Sequence, residues 1–139
     1  MGYSWSRGAG AVLEHTGLDW DGVWSLLFAA GKAAFRLSLA LPIGVGAELA
    51  NAAMDICEAR DEVSWAHPEA PMTAIAVDLG PLGPVVDLPT TGGVLIGLLT
   101  AALDRLALLE DADPDAAALG RQISGRVRSA REAIAELAR

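Results

Sequence analysis

The stretch 113–137, DPDAAALGRQISGRVRSAREAIAEL, decides the fold class of this chain. Asp113 is a helix-capping residue type, Pro114 suits the first helical position, and Asp115 complements the positive end of the helix dipole. Apolar residues then recur every three or four positions, at Ala116, Leu119, Ile123, Val127, Ala130, Ile134 and Leu137. This near-heptad spacing predicts a helix over 114–138 that buries a narrow apolar seam in a helical bundle.

Three further long helices are predicted upstream from apolar runs that end at helix breakers. Their predicted bounds are 20–41, 43–63 and 90–110. Asp19 or Asp21 is expected to cap the first of them, and Thr90 or Thr91 the third. The third helix is apolar nearly all round, which is typical of a helix at the centre of a bundle. The sequence therefore predicts an all-α, single-domain bundle over 1–139 with about four main helices.

The segments outside these helices have weaker patterns. Residues 1–18 are expected to be loosely ordered, with at most a short helical turn over 9–16. The window 64–91 contains five of the seven prolines and is interpreted as a connector. Within the possible element at 70–88, a short helix over Pro71–Leu79 is favoured, and a hairpin that pairs this stretch with Val85 and Val86 is the alternative.

The second helix carries a stripe of polar residues. Its members are Glu48, Asn51, Asp55, Glu58 and Glu62, spaced by three or four positions. The opposite positions, Leu49, Ala53 and Ile56 with Ala50, Met54 and Cys57, are predicted to form the buried face. The stripe is interpreted as a solvated acidic face that is bridged to the arginine-rich last helix. The alternative is an inward carboxylate set that binds a metal or another ligand.

Composition and charge narrow the classes of partner. The formal net charge is −8 and the isoelectric point is about 4.5, which disfavours nucleic acid and anionic lipid surfaces as partners. Hydrophobic residues make up 53% of this small chain, more than one small core readily buries, which favours self-association or a partner protein. Nine arginines to one lysine and the heavy use of Ala and Gly are typical of a GC-rich bacterial genome.

Two groups of residues are candidates for an interaction surface. Trp20, Trp24 and Phe28 lie four residues apart and form one aromatic patch, which is interpreted as core or, alternatively, as a protein-binding hot spot. Residues 121–139 carry five Arg against two Glu. The bases Arg126, Arg128 and Arg131 lie off the apolar seam and are expected to lie across acidic neighbours or to form a separate binding arm.

No pattern in the sequence predicts a catalytic, cofactor-binding or metal-binding residue. Cys57 is the single cysteine, so an intrachain disulfide is excluded and a cytoplasmic location is expected. No secretory signal is recognised in the first twenty residues. The uncharged run Leu88–Leu103 is too short and too interrupted by proline and glycine to predict stable membrane insertion. Neither His15 nor His67 has the spacing of a zinc or nucleophile motif.

These observations favour a small, soluble, non-catalytic helical module that binds a partner protein or a second copy of itself. The alternative is a helical ligand-binding or metal-binding domain, or a small enzyme, that uses the stripe Glu48, Asp55, Glu58 and Glu62. In an interaction module the carboxylates of the stripe would face solvent, whereas in a ligand-binding or metal-binding site they would face inward. The sequence does not distinguish the two orientations.

Overall fold

The computed structural model describes residues 5–83 and 86–139, and these residues form an all-helical structure. Its six α-helices are α1 (Trp5–His15), α2 (Trp20–Leu39), α3 (Ile43–Ala66), α4 (Ala70–Thr73), α5 (Leu88–Ala112) and α6 (Ala117–Leu137), and a 3-10 turn at Pro114–Ala116 precedes α6. No strand occurs in this described part of the chain. The all-α prediction is confirmed. The described residues contain six helices, so the predicted count of about four is not matched: the four long helices correspond to the predicted ones, α4 lies in the connector where a short helix was favoured, and α1 is additional.

The four long helices share one apolar core. α2 packs against α3 and α5, and α6 packs against the same two helices. The fully buried large side chains include Leu26, Leu37, Leu49, Ile56, Leu98, Leu106, Ile123 and Ile134. Burying one such side chain contributes about 1.5–3 kcal/mol. The seam predicted for the last helix is therefore part of the core that holds α6 on the rest of the structure.

The helix bounds agree with the predicted ones to within three residues, but two predicted caps differ. Asp113 caps the 3-10 turn Pro114–Ala116, and α6 itself begins without a side-chain cap. Asp19 caps α2 as expected and accepts a hydrogen bond from the amide of Gly22 at 2.8 Å. α5 is capped by Asp87 and not by a threonine; the Asp87 side chain accepts from both the amide and the hydroxyl of Thr90. Pro89 is tolerated in the first turn of a helix, so α5 begins two residues earlier than predicted.

The N-terminal segment departs from its prediction. Instead of a short turn over 9–16 in a loosely ordered stretch 1–18, the chain forms the eleven-residue helix α1; residues 1–4 lie outside the described part of the chain. Trp5 and Val12 are buried against the core, and α1 packs on α5 and α2. Glycines lower the intrinsic helix propensity of this stretch, and the burial of its apolar side outweighs that cost.

The connector contains one short helix. α4 has four residues, so the favoured helix over Pro71–Leu79 is present in its first turn only. The alternative hairpin needs Val85, which lies outside the described residues, and the described residues 74–83 form neither helix nor strand. The pattern did not predict the length of this helix. A proline at the start and a Gly-Pro pair after the end are compatible with both a long and a very short helix.

Hydrogen bonds tie the connector to the helices. The amide of Ile75 donates to the hydroxyl of Ser25 at 3.0 Å, and Arg36 pairs with Asp78 at 2.7 Å. The indole Nε1 of Trp5 donates to the carbonyl oxygen of Gly80 at 3.0 Å. Gly80 has a φ of 93°, a conformation that glycine adopts without strain. These contacts join the connector to both α1 and α2.

By length and composition, α5 is the one helix of the described residues that is long and apolar enough to cross a membrane. The uncharged run Leu88–Leu103 lies within this continuous helix. The central helix of a soluble protein has the same length and composition. Leu95, Leu98, Leu99 and Leu106 of α5 are fully buried within the protein, so this side of the helix contacts other helices.

Candidate interaction face and acidic cleft

The predicted aromatic patch lies at the junction of α2 with the C-terminal half of α3. Trp24 is 8% exposed, and its Nε1 donates to the hydroxyl of Ser64 at 2.9 Å. Its ring stacks on Phe28 with centroids 5.2 Å apart, and the ring of Trp20 stacks on His67 at 4.5 Å. Because Trp24 is buried and its polar atom is bonded within the chain, this placement favours the core interpretation of the patch.

The acidic stripe lies on the side of α3 that borders α6. Arg126 of α6 donates from Nη1 to Glu58 at 2.7 Å and from Nε to Glu62. Glu62 is 7% exposed, whereas Glu48 lies in solvent and Asp55 is half-buried. The predicted bridge between the stripe and the last helix is therefore present. The stripe was interpreted as a solvated face, and Glu62 departs from that interpretation because it is buried.

Electrostatics hold Arg126 in its charged form. The pKa of its guanidinium is raised above its usual value, first by the hydrogen bond with Glu62 and its charge, and then by the charges of Glu58 and Asp55. Nearby negative charge favours the protonated guanidinium. Among the described residues, no group of three or more His, Cys, Asp or Glu side chains has the arrangement of a metal site.

Two of the three candidate arginines of the last helix contact the body of the protein. Besides Arg126, Arg131 donates from Nη1 to the hydroxyl of Thr100 on α5 at 3.3 Å. Arg128 lies exposed in solvent. This arrangement is the intramolecular alternative, in which the basic helix lies across neighbouring helices. Arg121, Arg128 and Arg139 remain exposed.

Cys57 lies on α3 beside a shallow cleft of about 340 Å³ that Phe35 and Leu39 of α2 also line. His67 follows ten residues later, which along a helix is a rise of about 15 Å. His67 also stacks on Trp20. These positions place the imidazole out of hydrogen-bond reach of the thiol, so a Cys–His nucleophile at this position is not supported.

We expect Cys57 to be a slow nucleophile at neutral pH. Burial raises the pKa of its thiol above the usual value of about 9.0, an effect that Arg60 partly offsets and Asp61 reinforces. Because the thiolate is the reacting form, the rate of alkylation by iodoacetamide should rise about tenfold per pH unit from pH 7 through pH 9. A rate that levels off below pH 8 would contradict this assignment.

An exposed apolar surface covers the outer side of the α2–α3 hairpin. This outer apolar face consists of the exposed residues Phe35 and Leu39 of α2 and Ile43, Ala47 and Met54 of α3, together with the half-buried residues Ala50 and Cys57 of α3. Phe35 is 54% exposed, Leu39 75%, Ile43 91% and Met54 59%. The five α3 positions are spaced by four, three, four and three residues, which is heptad spacing. The prediction that Met54 is buried is therefore wrong, because α3 has two apolar sides and only one faces the core.

Arg105 is a buried residue that the sequence analysis missed. It is 9% exposed, and its guanidinium donates to the carbonyl oxygen of Gly17 at 3.0 Å and to the hydroxyl of Thr16 at 3.2 Å. These acceptors follow the C-terminal end of α1, where unpaired carbonyl groups attract a cation. An arginine within a leucine-rich helix gives no sequence signal for such a contact. These hydrogen bonds join the loop that follows α1 to α5.

Comparison of the chain with family models, with curated proteins and with solved structures found no match. Functional inference for this chain therefore depends on the geometry of its own side chains. Two features of that geometry are distinct from the core: the outer apolar face, and the region where α3 and α6 carry Glu58, Glu62 and Arg126.

Proposed function

We propose that this protein is a small, non-catalytic helical interaction module that self-associates through the outer apolar face. The observation that carries the proposal is the heptad-spaced row on α3, with Ile43 91% and Met54 59% exposed. An exposed apolar patch of a few hundred Å² on a soluble protein is often a site of interaction. A row with this spacing is complementary to a second helix with the same spacing, and a second copy of the chain supplies one.

The dimensions of the face suit a weak dimer. Its α3 row runs from Ile43 to Cys57, a rise of about 21 Å. Two adjacent helices, each roughly 10 Å across, give a surface of about 420 Å², the size of the small interfaces of weak complexes, below roughly 600 Å² per partner. Ala47 and Ala50 at the middle of the row allow the two helix backbones to approach closely, while Ile43 and Met54 supply the larger side chains.

Charge and composition support the remaining parts of the proposal. The net charge of −8 opposes nucleic acid as a partner, and one cysteine suits a reducing cytoplasm. The buried leucines of α5 support a helix that contributes to a protein core and is not inserted in a membrane. The proposed molecule is accordingly a cytoplasmic homodimer, or an accessory subunit that uses the same face.

Met54→Glu is expected to convert the dimer to a monomer. A carboxylate at the centre of the apolar interface would be buried without a partner, which is strongly disfavoured. Since Met54 is 59% exposed in a single chain, the monomer should still fold and melt cooperatively, with a melting temperature lowered only by the loss of self-association. The molar mass measured by light scattering during gel filtration should fall by half.

Met72→Glu is the matched control, because Met72 is 84% exposed and lies on α4, outside the outer apolar face. This variant should retain the mass of the parent. A parent protein that is monomeric at about 100 μM, a concentration at which even weak specific dimers associate, would overturn the proposal. So would a dimer that Met54→Glu leaves intact.

A further inference from the structure

A cleft of about 580 Å³ lies between the C-terminal half of α3 and the first turns of α6. Its lining includes Glu58, Asp61, Glu62, Trp65 and Arg126. The volume lies within the range of small-molecule sites in proteins, about 300–1,000 Å³. The cleft is on the α6 side of α3 and is not part of the outer apolar face.

The charges of the cleft favour a cation. Three carboxylates line it, against the single guanidinium of Arg126. Arg60 also pairs with Asp61, at 3.1 Å, but does not line the cleft. Field lines from several carboxylates in a concave site raise the local concentration of cations. The chain as a whole, with its net charge of −8, adds to this attraction.

Glu62 supplies an unused hydrogen-bond acceptor. The residue is 7% exposed, and its Oε1 is bonded to Arg126. Its other oxygen, Oε2, is buried and has no hydrogen-bond partner among the described residues. A buried carboxylate oxygen without a donor is costly. Because Glu62 lines the cleft, an N–H donor bound there gains affinity from the hydrogen bond that it restores when the carboxylate turns toward it.

Trp65 supplies an aromatic wall. Its side chain is 78% exposed although it is the largest residue type, and it lines the cleft beside the carboxylates. The face of an indole ring attracts cations, an interaction of roughly 0.5–2 kcal/mol. An aromatic ring next to several carboxylates is the combination that recognises an organic ammonium group with an apolar body.

We propose that the cleft between α3 and α6 binds a small organic cation, a primary ammonium group on an apolar body, with Glu62 as the acceptor and Trp65 as the aromatic wall. Glu58 and Asp61 contribute charge at the mouth of the cleft, where their side chains are 53% and 47% exposed. This function does not depend on self-association, because the residues of the cleft differ from those of the outer apolar face.

The test is a titration of the full-length protein with benzylammonium chloride, followed by the NMR signal of the Trp65 indole N–H. We expect a saturable shift of this signal, assigned with the Trp65→Phe variant. Benzyl alcohol, the neutral analogue, should bind at least about tenfold more weakly, because it lacks the charge that the carboxylates attract. Benzyltrimethylammonium, which cannot donate a hydrogen bond, should also bind more weakly than benzylammonium.

Glu62→Gln should weaken benzylammonium binding about tenfold, the size expected for one charged hydrogen bond. Trp65→Ala, at a position 78% exposed and therefore safe for folding, should weaken it as well. Glu132→Gln removes an exposed carboxylate of α6 outside the cleft lining and should leave binding unchanged. The proposal is overturned if the Trp65 signal does not move at about 10 mM benzylammonium, far above a weak Kd, or if the alcohol binds as tightly as the amine.

Discussion

Ile123→Asp is expected to unfold the protein. Ile123 is fully buried in the seam between α6 and the other long helices. The substitution loses the burial of an isoleucine, about 1.5–3 kcal/mol, and places a carboxylate without a partner in an apolar environment, which costs several kcal/mol more. The sum approaches the whole stability of a small domain, about 5–15 kcal/mol. Circular dichroism should show loss of the cooperative thermal transition.

Two control variants distinguish the cost of burying a charge from a general sensitivity of α6 to substitution. Ile123→Val removes one methylene and should cost only about 0.5–1.5 kcal/mol. Gln122→Asp places the same carboxylate on the adjacent exposed position and should change stability by no more than about 0.5 kcal/mol. If the Ile123→Asp protein kept the melting temperature of the parent, α6 would not be integrated in the core. The cleft between α3 and α6 would then lose its structural basis as well.

The sequence predicted most accurately the helices whose apolar residues lie on a single side, because only one side can then face the core. α6 has a single seam, flanked by arginines, so spacing alone identified its buried face. α3 has apolar residues on two sides, and spacing does not tell which side meets the core. The pattern therefore placed Met54 inside, although it is 59% exposed. The exposed face became visible only when the positions of α2 and α6 showed which side of α3 is covered.

Contacts between distant residues account for the other differences. α1 is fixed by Trp5, whose indole bonds to Gly80, 75 residues away, and no local pattern contains that information. The acidic stripe was visible as a pattern of charges. The division between an exposed Glu48 and a buried Glu62 depends on Arg126, 64 residues from Glu62 in the chain. The spacing in the sequence identified the carboxylates of the stripe. The packing of α6 on α3 determines which of them, Glu58 and Glu62, line the cleft with Trp65.

Arg105 belongs to the same class of long-range contacts, and its removal is the second substitution for which a large effect is expected. Its guanidinium bonds to Gly17 and Thr16, which lie 88 and 89 residues away in the chain. The loop that contains these acceptors is fixed on its other side by α2, because a side chain at Gly22 would overlap the carbonyl group of Gly17. The loop after α1 is therefore held on two sides, by the hydrogen bonds from Arg105 of α5 and by the close approach of Gly22 of α2.

Arg105→Met is expected to lower the free energy of unfolding by about 2–4 kcal/mol. Methionine is of similar length and keeps the packing, but it leaves the loop acceptors without their donor, and a hydrogen bond to a charged group contributes about 1.5–3 kcal/mol. Relief of the desolvation of the buried charge offsets part of that loss. Urea unfolding measures the total, and hydrogen exchange should show the amides of α1 opening before those of the long helices.

Arg128→Met is the matched control for this substitution, because Arg128 is exposed on α6 and its loss should change stability by no more than about 0.5 kcal/mol. The location of the effect is as informative as its size. If α1 is held mainly by Arg105, the variant should lose protection in α1 while α5, which carries the substitution, retains its own. A uniform loss in every helix would assign Arg105 to the general stability of the core. An unchanged free energy of unfolding would show that the desolvation cost of the guanidinium cancels its hydrogen bonds, and the burial of Trp5 would then be sufficient to hold α1 in place.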